Sequence, residues 1–138
     1  MNGKWNMVTG LWGIAAFMAY GFFLIYLRDF APDAAEWAAS YGTGKHFEAR
    51  LAHVHGALFT FLNIVIGFLL LKLHVAEKIK RIVSMSALVG ILMPVGILAE
   101  IYLGASPIFV LVGGASMLAS VAVFGFGLLR CDEKTLCG

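Results

Sequence analysis

Four apolar runs, roughly Met7–Leu27, Leu51–Leu73, Ile82–Leu103 and Ile108–Leu129, are divided by short stretches that hold most of the charge. Each is about 20 residues long, the length a helix needs to cross a hydrocarbon core about 30 Å thick. Backbone N–H and C=O groups find no water there and must bond within their own segment, so such runs are helices. Only 13% of the 138 residues are charged, against about 25% in an ordinary soluble domain. The sequence therefore predicts an all-α integral membrane four-helix bundle, one domain over residues 1–138, with no internal repeat or linker. The first run is longer than the apolar core of a secretory leader, and Leu-Arg-Asp-Phe-Ala-Pro makes a poor cleavage site, so it is read as a retained helix.

The distribution of basic residues orients the bundle. With an even number of spans, both termini and the link between the second and third runs share a side. That side carries Lys4, Lys72, Lys78, Lys80, Arg81, Arg130 and Lys134, while the other has Arg28, Lys45 and Arg50. The bias places both termini in the cytoplasm of a bacterial-type inner membrane. A net charge of +2 with its cations at helix ends implies a lipid bilayer as partner and no nucleic acid.

The one long connection, APDAAEWAASYG, places Asp33 and Glu36 at capping-box spacing ahead of Trp37 and Tyr41. It reads equally as a short interfacial helix or a plain surface loop. Pro94 should kink the third span. Cys131 and Cys137, six residues apart, match no metal pattern and read as reduced thiols without chemistry.

The chemically loaded stretch is ARLAHVHGALF, residues Ala49–Phe59. His53 and His55 lie about 200° apart around a helix, so one helix cannot turn both toward one centre. His46, Arg50 and His53 form one stripe if the helix begins early, and His55, Phe59, Leu62 and Ile66 form another. Span three runs the opposite way and reaches the depth of His55 near Glu100, two residues before Tyr102. Ionisable groups inside a span are costly and are functional candidates by default. The expected site is thus His55, His53 and Glu100 as metal ligands, with Arg50, Phe59 and Tyr102 around a cofactor and Phe61 and Phe109 completing an apolar enclosure. Neutral imidazole suits haem iron, copper or zinc. A copper or zinc site without porphyrin would draw on His46, Glu48, His53 and Glu100. His74, 19 residues after His55, is about 28 Å away and cannot share its centre. It reads as an interfacial residue, and Met93 and Met117 read as packing residues.

Arg50-Leu51, His55-Gly56 and Asn63 together resemble the second helix of the catalytic subunit of haem-copper oxygen reductases and their nitric-oxide reductase relatives. The helix order and the outside-to-inside direction also agree. The resemblance spans about 25 residues and lacks the family's later metal-bearing helices, so it implies one role only: His55 as an axial ligand of a b-type haem near the outer face. The opposite ligand would come from a second copy in a symmetric dimer, or from Met or Tyr of spans three and four. The expected function is electron transfer or gas and redox sensing, with a quinone or cytochrome as redox partner. An accessory subunit of a larger respiratory complex is the alternative. Ala52-His53 also resembles the start of span two in the four-helix membrane glutathione and eicosanoid enzymes, but that family's Asn and Glu partners would fall on His55 and Leu58.

Overall fold

The computed structural model describes residues 3–130. Cys131, Lys134 and Cys137 lie outside the described residues. Residues 3–130 form helices joined by turns, with no strand among them: α1 Lys4–Asp29, α2 Ala34–Ala39, α3 Gly44–Lys72, α4 Glu77–Gly90, α5 Leu92–Leu103 and α6 Ile108–Leu129. Four stretches are long and apolar enough to cross a membrane: α1, α3, α4 with α5, and α6. The short α2 lies on the long connection, and its Asp33 makes no side-chain cap bond, so the capping box is not formed.

Two boundaries differ from the sequence expectation, each for a physical reason. Apolar character marks the length a bilayer tolerates, whereas a helix continues for as long as its backbone bonds are satisfied. At 29 residues α3 is about 43 Å long, and its polar first turns carry Lys45, His46, Glu48 and Arg50 beyond the apolar run. The third span is broken at Ile91, three residues ahead of Pro94. Pro94 has no N–H for the carbonyl of Gly90, and its ring crowds that carbonyl. The Ile91 N–H turns instead to Leu88 at 3.2 Å, so the carbonyl of Ala87 loses the donor it would have in a continuous helix.

Packing follows the chain. α1 lies along α3, α3 also meets α4 and α5, and α6 covers α4 and α5. One apolar cluster gathers Phe59, Ile66, Leu70, Val83, Met117 and Phe124, and a smaller one gathers Leu24, Ala49, Ala52, Ile97 and Ile101. Gly56 lets α1 approach α3, because a Cβ there would overlap the Phe17 ring.

A buried polar network joins all four spans. Asn6, Asn63, Ser84 and Ser120 have no exposed surface. The Asn6 amide donates to Asn63 Oδ1 and to the Ser84 carbonyl, each at 3.0 Å, while the Ser84 hydroxyl donates to Asn6 Oδ1. Asn63 donates to the Phe59 carbonyl at 3.0 Å and to the Ala87 carbonyl at 2.9 Å. Asn63 thus satisfies the acceptor that the break at Ile91 releases. Ser120 closes the set by donating to the Val83 carbonyl at 2.8 Å.

Candidate functional site

The first turns of α3 carry opposite chemistry on two faces. Toward α1 and α2 point His46, Arg50 and His53, which line a groove of 470 Å³. Its apolar wall is Met18, Phe22, Leu24 and Ile25 of α1, and Arg28 and Tyr41 stand at its polar end. Toward α5 and α6, Glu48 and Leu51 line a second groove of 280 Å³ with Met93, Ile97 and Glu100. The structure therefore does not gather the paired histidines and Glu100 into one site: α3 stands between His53 and Glu100.

Each histidine of this region is held by one ring nitrogen. His53 Nδ1 lies 2.9 Å from the Phe17 carbonyl, His55 Nδ1 2.9 Å from the Leu51 carbonyl, and His46 Nδ1 2.6 Å from the Trp37 carbonyl. A carbonyl only accepts, so Nδ1 carries the proton and Nε2 of a neutral ring keeps its lone pair. Metal-ligating histidines are commonly fixed this way by a backbone oxygen. The His53 ring is seated where α1 has no side chain: a Cβ on Gly21 would come within 2.8 Å of its Cε1.

His55 lies on the other side of α3, half-buried, with Phe59 at 6.2 Å and edge-on. It lines neither groove. The expected aromatic enclosure is dispersed. Phe59 belongs to the core, whereas Phe61, Tyr102 and Phe109 are exposed. Tyr102 shares a hydrogen bond with Tyr20 of α1 at 3.1 Å, tying α5 to α1 beside His53. Met117 is buried in the gap left at Gly90, and His74 is exposed beyond the end of α3. Among the described residues no three His, Cys, Asp or Glu side chains converge as a bare metal ion would need. The copper or zinc set of His46, Glu48, His53 and Glu100 is thus divided between the two grooves.

The polar end of the first groove is ordered by aromatic contacts. His46 is buried, stacked on Trp37 at 4.7 Å and met edge-on by Tyr41 at 5.3 Å. The Arg50 guanidinium lies 3.6 Å over the Tyr41 ring and donates to the Tyr41 carbonyl at 3.1 Å. Arg28 makes a two-pronged pair with its neighbour Asp29, at 2.8 and 2.7 Å. The ion pairs among the described residues are Arg28–Asp29 and Lys80–Glu77, so half-buried Arg50 has no carboxylate partner there.

Sequence reasoning missed Asn6, Gly21, Arg28, Ser84 and Ser120. Polar residues inside apolar runs usually face the bundle interior, which points to Asn63, Ser84 and Ser120 but not to Asn6, near a helix end. No family model, curated protein or solved structure matches the chain.

Proposed function

We propose that this protein is an integral membrane protein that holds a b-type haem in the groove between α1 and α3, with the imidazole of His53 as axial ligand. The reading moves the ligand from His55 to the neighbouring histidine. The observation that carries it is the seat of His53: its Nδ1–H is anchored on Phe17, its Nε2 has no hydrogen-bond partner among the described residues, and its ring lines a groove with an apolar wall. Arg50 stands one turn away on the same helix, where its planar fork suits a propionate carboxylate. From Met18 to Arg28 the groove follows α1 over ten residue steps, about 15 Å, and its volume falls in the range of about 300–1,000 Å³ usual for small-molecule sites.

Bound there, haem would supply one-electron transfer or gas binding, and the chain supplies the imidazole, the anion partner and the apolar wall. The charge bias of the loops supports a bacterial-type inner membrane with both termini cytoplasmic and the groove near the outer leaflet.

The test is an absorption spectrum of the detergent-solubilised protein after titration with haemin. A Soret band that is lost in His53→Ala and kept in His55→Ala supports the assignment. Loss in His55→Ala alone would return the ligand to His55, and no band in the wild-type protein would end the haem reading. A second reading is favoured by Glu100, exposed on α5 in a groove whose other carboxylate is Glu48 and whose remaining lining is apolar: a basic residue of a larger respiratory subunit would meet it there. Co-purification with larger subunits, lost in Glu100→Gln, is its signature.

A further inference from the structure

The two arginines at the polar end of the first groove are in different electrostatic states. Arg50 is positioned, and no carboxylate among the described residues neutralises it. It rests on the Tyr41 ring and uses one donor on a backbone carbonyl, leaving the others of its five N–H groups for an anion. Arg28 is positioned and neutralised, both prongs being taken by Asp29. That pair is exposed on both sides, and exposed pairs contribute little net free energy. It can therefore be exchanged for a ligand carboxylate at little cost. Asp29 also ends α1, at the negative end of the helix dipole, where a further negative charge is unfavourable.

We infer that Arg50 and Arg28 form a two-point recognition site for an apolar ligand bearing two carboxylates, and that Asp29 is an internal competitor for the second point. A ligand with one carboxylate is met by Arg50 alone and leaves Arg28–Asp29 intact. A ligand with two draws Arg28 away from Asp29 and is held at both ends of its anionic edge. The site thus selects for a dianionic edge. The inference rests on the haem reading only for the choice of ligand, since it needs no iron and no imidazole.

Metal-free protoporphyrin IX, followed by its fluorescence in detergent, is the probe, with its dimethyl ester as the uncharged control. Binding of the diacid should weaken by about tenfold or more in Arg50→Ala, the scale of a lost charge-assisted bond. It should tighten by about two- to fivefold in Asp29→Asn, the scale of an exposed ion pair released. The gain should vanish in the Arg28→Gln, Asp29→Asn double variant, and the ester should respond to none of these changes. An unchanged or weaker diacid affinity in Asp29→Asn, an equal gain for the ester, or no diacid binding by any variant would overturn the inference. A Soret band dependent on His53 alongside any of those results would leave the haem reading standing. The expected porphyrin pattern without that band would remove the haem reading and keep this one.

Discussion

Replacing Asn63 by leucine keeps the branched outline of the side chain, though with bulkier methyl groups, and removes its hydrogen bonds. Three polar groups then change state. The Ala87 carbonyl loses the 2.9 Å bond from Asn63, and its ordinary helical donor is already turned to Leu88. The Asn6 amide loses Asn63 Oδ1 and keeps only the Ser84 carbonyl. The Phe59 carbonyl loses an additional donor, which matters least because it lies within an unbroken helix. One group is thus orphaned and a second left half-satisfied, both at positions with no exposed surface. A buried unsatisfied group costs about 1–3 kcal/mol, but hydrogen bonds between membrane helices have measured averages of only ~0.6 kcal/mol, because the unfolded chain in lipid also finds partners. The lower bound governs the Asn6 amide, which retains one bond. The upper range governs the Ala87 carbonyl, which retains none. The expected loss is about 2–4 kcal/mol.

Equilibrium unfolding in a mixed-micelle denaturant series, followed by far-ultraviolet circular dichroism, measures that loss. Asn6→Leu should cost less than Asn63→Leu, because the released Ala87 carbonyl remains bonded. The double variant should cost less than the two single losses combined, since both act through one shared bond. Full additivity, or a change in Asn63→Leu below about 0.5 kcal/mol, the size of an ordinary surface substitution, would refute the view that Asn63 repairs the break at Ile91.

Other substitutions test the seat of the candidate site. Gly56→Leu must displace the Phe17 ring and should destabilise the bundle by about 1–3 kcal/mol, as overpacking does; an unchanged unfolding midpoint would count against close approach of α1 and α3. Gly21→Val pushes on the His53 ring and should lower haem occupancy by absorption titration while changing stability less than Gly56→Leu does. Tyr41→Leu removes the ring beneath Arg50 and should weaken haemin retention by about two- to fivefold, the range of an exposed cation–π contact; unaltered retention would show that Arg50 needs no such support.

Much of the architecture is legible in the sequence because it follows from solvation. A run of about 20 apolar residues has few alternatives to a spanning helix, and all four runs recur as helical stretches of that kind. The early start of α3 is not legible, because Lys45 to Arg50 are polar and only hydrogen bonding extends a helix through them. The break is misplaced for a similar reason: Pro94 shows its ring in the sequence, whereas the carbonyl it disturbs belongs to Gly90. At the candidate site, the stripe His46–Arg50–His53 follows from helical periodicity only once the helix is taken to begin early, and it recurs along the first groove. Pairing that stripe with Glu100 does not follow, because depth along the membrane fixes one coordinate and leaves the side of α3 open. Gly56 has a packing reason of its own in Phe17, so the His-Gly pair is accounted for by the close approach of two helices.

The network and the groove are coupled through the register of α1 on α3. Asn6 meets Asn63 near one end, Phe17 enters the space at Gly56 in the middle, and Gly21 faces His53 beyond it. These contacts fall in antiparallel sequence, so a slip of α1 by one residue would set Phe22 or Tyr20 against His53 in place of Gly21. Either side chain would expel the imidazole from its seat. The Asn6–Asn63 bond lies ten residues from His53, about 15 Å along α3, outside contact with any ligand in the groove. Asn63→Leu should therefore weaken haemin binding as well as stability, whereas Ser120→Ala, which leaves the α1–α3 pair intact, should affect stability alone. Equal haemin affinity in Asn63→Leu and wild-type protein, measured where both are fully folded, would separate the register of the helices from the geometry of the site.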